Sequence, residues 1–172
     1  MKILETERLV LRWQTPDDAG FILKLMTDPS WIRYIGDRNL KTVEDARDYI
    51  VRVALGSYER LGYGFYLVEL KGEHELRTAI GICGLAKRDF MEDPDVGYAF
   101  LPAYWGKGYA YEATAGVLRY ARDELGIERI AAITTPDNEA SIRLLAKLGM
   151  RDEGLISYGD TKEEVKLYRA CE

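Results

Sequence analysis

Residues 102–114 read Pro-Ala-Tyr-Trp-Gly-Lys-Gly-Tyr-Ala-Tyr-Glu-Ala-Thr, with two glycines and a lysine between a strand-like run and a helix-like one. Glycine weakens both kinds of element, so Gly106 and Gly108 mark a turn with positive φ or a backbone that a ligand approaches closely. Bare amides at the start of a helix face anions, and Lys107 could add a point charge there. Two phosphate loops do not fit. A Walker loop has a longer glycine spacing and a Ser or Thr after its lysine to hold magnesium, whereas Gly108 follows Lys107 here. A dinucleotide fingerprint needs a small residue at position 111, which is Tyr111. Nucleotide hydrolysis is set aside on these grounds. A tight turn and a metal-free pyrophosphate cradle both remain open.

Other chemistry is sparse. One histidine, His74, and two distant cysteines, Cys83 and Cys171, leave little for Ser-His, Cys-His or zinc chemistry, and no metal site is expected. His74 sits in a polar stretch that reads as a hairpin turn, and Cys83 in an apolar strand reads as a buried small residue. Lys plus Arg total 24 against 29 Asp plus Glu. That balance argues against a nucleic-acid partner and is compatible with a basic or amine-bearing one. No apolar run approaches the ~18 residues of a membrane span, and the charged N-terminus lacks the core of a signal peptide. A cytoplasmic location is expected.

The elements that must carry the glycine loop follow from periodicity. ERLVLRWQ alternates like a half-buried strand. Thr15, Pro16 and Asp18 then open a helix that Pro29 ends, and Thr42 with Asp45 open a second one running to about Leu61. GYGFYLVEL and TAIGICGLAKR suggest a hairpin, and DVGYAFL a strand cut at Pro102. A helix from about Lys107 to Leu125, the strand ERIAAITT, the helix NEASIRLLAKLG and two closing strands complete the chain. The order is that of one α+β domain over 1–172, with a mostly antiparallel sheet and about four helices. An edge strand at the C-terminus leaves room for a homodimer.

The stretch DVGYAFLPAYWGKGYAYEA followed by DNEASIRLLAKLGM resembles the GNAT superfamily of acetyl-CoA-dependent N-acyltransferases. The opening ETERLVLR, the loop WGKGYA and the ending DTKEEVKLYRA are similar to its RimJ/RimL branch, so the resemblance covers essentially the whole chain. It implies a sheet whose central parallel strands, DVGYAFL and ERIAAITT, splay apart around the cofactor. On that likeness the Phe100 and Leu101 backbone receives the pantetheine arm. The amides of Gly106, Lys107, Gly108, Tyr109, Ala110 and Tyr111 hold the pyrophosphate, and Asn138 touches the arm while also suiting a helix cap. The implied reaction is direct attack of a primary amine, on a protein N-terminus or a small molecule, upon acetyl-CoA. A non-catalytic acyl-CoA sensor is the alternative.

The resemblance also proposes proton carriers. Asp95 stands where many members place a base-like glutamate, Ser141 where some place a hydroxyl near the leaving sulfur. Leu145 replaces a common tyrosine acid, which leaves Ser141, Tyr98 or water for that task. Glu112, in the first turn of the glycine-led helix, is either a catalytic carboxylate or one favoured there by the helix dipole. For the acceptor, Trp31, Tyr34 and Phe65 could line a groove, with Arg33 and Asn39 meeting a carboxylate, although aromatics at such spacing also suit a core.

Overall fold

The alternation of Leu9–Arg12 (β2) buries Leu9, Val10 and Leu11 completely, and β2 pairs antiparallel with a short strand before it, Lys2–Glu5 (β1). The computed structural model describes residues 1–171. β1 is absent from the sequence reading because four residues with a charge at each end show no alternation. Thr15 and Asp18 form the expected capping box, but over a short 3-10 turn, Pro16–Asp18, that leads into α1 (Ala19–Met26).

Pro29 closes one helix and begins another. Asp28 accepts the Ser30 N–H at 2.9 Å, and Pro29 in the first turn forfeits no hydrogen bond, so α2 (Pro29–Tyr34) follows at once. This raises the helical stretches from four to five. Thr42 caps α3 (Val43–Tyr49), its hydroxyl accepting the Asp45 N–H at 3.1 Å. A π-helical segment, Ile50–Leu55, carries it on into α4 (Gly56–Leu61). Gly62 stops this stretch at φ 79°, the left-handed turn that glycine adopts without steric cost.

Phe65–Lys71 (β3) and Arg77–Ala86 (β4) form the expected hairpin, and Asp95–Phe100 (β5) pairs along β4 from Ala86 to Gly81. Then come α5 (Tyr109–Asp123), β6 (Ala131–Thr134), α6 (Glu139–Lys147), β7 (Arg151–Ser157) and β8 (Glu164–Arg169). The sheet order is β1-β2-β3-β4-β5-β6-β8-β7. The strand at this edge is therefore β7; β8, the C-terminal strand, is enclosed by β6 and β7, contrary to the expectation of a C-terminal edge.

β5 and β6 run parallel, and every other neighbouring pair is antiparallel. The parallel pair shares a single register position, Asp95 opposite Ala131, where the Ala131 N–H meets the Pro94 carbonyl at 2.9 Å. Beyond it the strands diverge. What holds the halves in place is the core on which they rest: Leu11, Ile22, Ile50, Leu67, Leu85, Val117 and Leu145 are fully buried in one cluster. Each large aliphatic contributes about 1.5–3 kcal/mol by leaving water. Trp13 stacks on Tyr58 and Tyr58 on Tyr66, at centroid distances of 4.7 and 5.7 Å, which fastens α4 to the sheet.

Candidate active site

A strand turns its backbone groups alternately to either side, so the register decides which of them face the gap. The Leu101 N–H bonds the Ile80 carbonyl at 3.0 Å on the β4 side, while the Pro94 carbonyl serves β6. By alternation, Val96, Tyr98 and Phe100 direct their N–H and C=O groups toward β6. Past Ala131 no strand meets them, and the gap opens into a cleft of about 1330 Å³. The structure corrects part of the Phe100–Leu101 expectation. Leu101 has both groups engaged, its carbonyl accepting the Tyr104 N–H at 2.9 Å. The Phe100 carbonyl accepts the Trp105 indole N–H at 2.8 Å. The backbone left to receive an extended arm is that of Tyr98 and the N–H of Phe100.

The glycine loop sits at the wide end of this gap. Gly106 and Gly108 are left-handed, at φ 72° and 84°, and Gly108 is the N-cap of α5. The first helical bond is the Glu112 N–H to the Gly108 carbonyl at 3.0 Å, so the amides of Tyr109, Ala110 and Tyr111 have no acceptor within the helix. A side chain at Gly108 would begin 3.2 Å from the Arg8 guanidinium, so that glycine serves the turn; it does not clear space for a ligand. Lys107 does not line the cleft: its ammonium bonds the Ala103 carbonyl at 3.1 Å. Free amides at a helix N-terminus, next to an unpaired strand backbone, fit a pyrophosphate on an extended arm. Gly108, Tyr109, Ala110 and Tyr111 are the loop residues that could hold it.

Glu112 is reassigned. Its carboxylate accepts the Thr6 hydroxyl at 2.7 Å, the Arg8 N–H at 2.8 Å and Arg8 Nε at 2.6 Å, and it does not line the cleft. Burial works to raise its pKa, but these bonds outweigh it and hold the group below its ordinary range. Arg8, which sequence reading did not single out, also bonds the Lys107 carbonyl at 2.9 Å and covers the Tyr109 ring at 4.5 Å. It buckles the β1–β2 turn onto the glycine loop.

Across the gap, the Tyr98 hydroxyl on β5 lies 2.6 Å from the Ser141 hydroxyl on α6. Burial pushes the Tyr98 phenol up to about 12, so it stays protonated at neutral pH. Asn138 accepts the Ser141 N–H at 3.2 Å through Oδ1, which leaves its amide NH₂ to meet a ligand. Leu145, buried in the cleft lining, offers no hydroxyl. Asp95 also lines the cleft, but it is buried and not the solvated strand start that its position suggests. Burial raises its pKa against the pull of Arg88, whose Nε is 2.9 Å away and which also bonds the Tyr158 hydroxyl at 2.9 Å. Burial likewise pushes the Cys83 thiol to about 12, so it is inert.

The other wall comes from α2 and the α3–α4 stretch. Trp31, Arg33, Tyr34 and Phe65 all line it, whereas Asn39 does not. Trp31 is buried, and its indole N–H has no acceptor among the described residues. Gln14, another residue that sequence reading missed, holds the Phe65 carbonyl through its NH₂ at 3.0 Å while its Oε1 is left without a donor. No cluster of three or more potential metal ligands exists among the described residues, and no helix is long and apolar enough to cross a membrane.

Residues 8–151 match the family described as an acetyltransferase (GNAT) domain. The uncharacterized N-acetyltransferase YoaA of Bacillus subtilis (strain 168) is 36% identical over 154 residues, 90% of this chain and 85% of that protein. An acetyltransferase (GNAT family) from Bacillus anthracis is similar at a TM-score of 0.78 and 28% identity, over 98% of this chain and 97% of its own. RimL, a ribosomal L7/L12 alpha-N-protein acetyltransferase solved in complex with coenzyme A, shares the fold at a TM-score of 0.81 and 17% identity, over 98% of this chain and 97% of its own. With the splayed strands and the glycine-led helix in place, the chain belongs to the GNAT family, as an acetyl-CoA-dependent acetyltransferase of RimJ/RimL-like build.

Proposed function

We propose that the acceptor is a primary amine and that the Tyr98–Ser141 pair serves the leaving sulfur. The observation that carries this reading is the hydroxyl pair itself, 2.6 Å apart and bridging the two arms of an otherwise open gap. Acetyl-CoA supplies a thioester carbonyl activated for attack. As the amine nitrogen bonds to that carbon, the carbon–sulfur bond breaks, the sulfur leaves with the electron pair and takes a proton, and the nitrogen loses one. Tyr98 holds the proton that the sulfur needs, and Ser141 links it to solvent for its return. The unpaired Tyr98 N–H donates toward the carbonyl oxygen, where negative charge grows. Phe100 N–H, Asn138 and the amides of Tyr109 to Tyr111 hold the cofactor arm.

Asp95 positions Arg88, which also bonds the Tyr158 hydroxyl, in the cleft lining; the amine loses its proton to water. A free α-amine has a pKa of about 8, so deprotonation is a mild demand. The test is coenzyme A release from acetyl-CoA over a panel of primary amines, with the acetylated product identified by mass. Release with at least one amine is expected, and Asp95→Asn should keep the rising limb of the pH–rate profile. Tight cofactor binding without turnover on any amine would favour a binding-only role, and loss of that limb would make Asp95 the base.

A further inference from the structure

We propose, resting on the amine-acetylating reading above, that the acceptor is an anionic amine whose carboxylate or phosphate is received by Arg33, Arg38, Arg52 and Arg60. The chain carries a net charge of −5, yet eight basic and three acidic side chains line the cleft. The local field is thus opposite to the overall one. Composition, compatible with a basic or amine-bearing partner, does not reveal this local field.

Six of the eight basic groups, all but Lys87 and Arg88, divide between two ends. Arg143 and Lys147 stand on α6, and Lys147 lies 4.5 Å from the Tyr111 ring, beside the helix N-terminus that suits a pyrophosphate. Arg33, Arg38, Arg52 and Arg60 come instead from α2, the loop after it, the π-helical segment and α4. Among the described residues no carboxylate lies within 4.0 Å of Arg38, Arg52 or Arg60, and Arg33 reaches Asp137 only at 3.9 Å. Asp95, the carboxylate nearest in role, is taken by Arg88.

These exposed guanidinium groups, lining one wall with few carboxylates near them, give it a positive field that an anion would meet favourably. The Trp31 indole N–H, buried on the same wall without an acceptor, is a further donor in search of one. π-helical turns are uncommon and concentrate at functional sites, and this one carries Arg52. A polyamine would meet mostly like charge along this cleft.

The test follows coenzyme A release by the wild-type enzyme, saturated with acetyl-CoA, on four acceptors. These are the free-N-terminus hexapeptide Ser-Glu-Asp-Glu-Asp-Gly, its amide counterpart Ser-Gln-Asn-Gln-Asn-Gly, O-phosphoethanolamine and ethanolamine. At least one anionic acceptor should exceed its neutral counterpart about tenfold in kcat/KM, and which one leads tells peptide from small molecule. The preference should shrink from about 0.1 M to about 1 M salt, as the screening length falls from roughly 10 to roughly 3 Å. Arg52→Gln with Arg60→Gln should raise the KM for the preferred acceptor about two- to tenfold. The KM for acetyl-CoA should stay put, as should the thermal midpoint, and Arg77→Gln on β4, away from the cleft, should change neither KM. Equal use of charged and neutral acceptors, or a rise in the acetyl-CoA KM instead, overturns the inference and leaves amine acetylation standing. No acetylation of any acceptor overturns the reading beneath it as well.

Discussion

Tyr98 shows what a single hydroxyl can do when its surroundings are arranged for it. Its phenol, protonated at neutral pH as any tyrosine is and pushed further up by burial, sits 2.6 Å from Ser141, so it has a proton to offer a thiolate. Tyr98→Phe keeps the ring and its packing, and it should lower kcat on the order of 10- to 100-fold while the KM for acetyl-CoA stays within a few-fold. Steady-state kinetics separate the two parameters. An unchanged kcat would return the proton transfer to water. At this scale sequence reading was uneven. Ser141 and Asn138 take their places from the family likeness and Tyr98 only by elimination; the structure brings the Tyr98 and Ser141 hydroxyls together and has Asn138 accept the Ser141 N–H. The Leu101 backbone and the Lys107 ammonium are taken by Ile80, Tyr104 and Ala103, and of the two roles open to Glu112 the structure fits the structural one, through Arg8 and Thr6. No spacing in the chain reveals such partners. Gln14 and Arg8 were invisible for the same reason, since each earns its place through residues at least fifty positions away.

Among the elements, the glycine-led start of α5 depends on a clasp made by the β1–β2 turn. Glu112 joins the two, and its stabilisation has a definite pH window. Its pKa in the folded state lies below the ordinary 4.5, so its contribution is present above that value and is lost as pH falls through the folded pKa. Glu112→Gln should therefore cost about 1–3 kcal/mol near neutral pH, a midpoint lower by roughly 3–10 °C. The gap between variant and wild type should close as the pH falls below 4.5 and through the lowered folded-state pKa. Thermal unfolding across pH checks this, and a gap that does not narrow would mean the carboxylate's charge is not what holds the clasp. Most elements were readable from caps and periodicity. α2 was hidden because Pro29 reads equally as a stop and as a first helical residue, and only the Asp28 cap decides between them. β1 was hidden because its partner strand, not its own pattern, makes it a strand.

Taken as a whole, and on the proposed reading, the molecule separates two tasks between two walls of one cleft. β5 and its glycine loop offer backbone groups to a phosphate-bearing arm, and the α2–α4 wall offers guanidinium groups to whatever is acetylated. The order of elements made the fold legible, and the parallel neighbours could be named from the family likeness. The charge of the cleft could not be read from composition, because net charge averages over faces that only folding distinguishes. On this reading acetyl-CoA lies in the gap that β5 and β6 leave open. Amide hydrogen exchange with and without saturating acetyl-CoA tests it most directly, with binding confirmed by a midpoint shift of about 5–10 °C at 100 times the Kd. Slowed exchange is expected to concentrate in residues 96–100 and 106–111, with the β1–β2 and β7–β8 hairpins little changed. A full thermal shift with no protection in those two segments would contradict it, and the cofactor would have to be placed elsewhere.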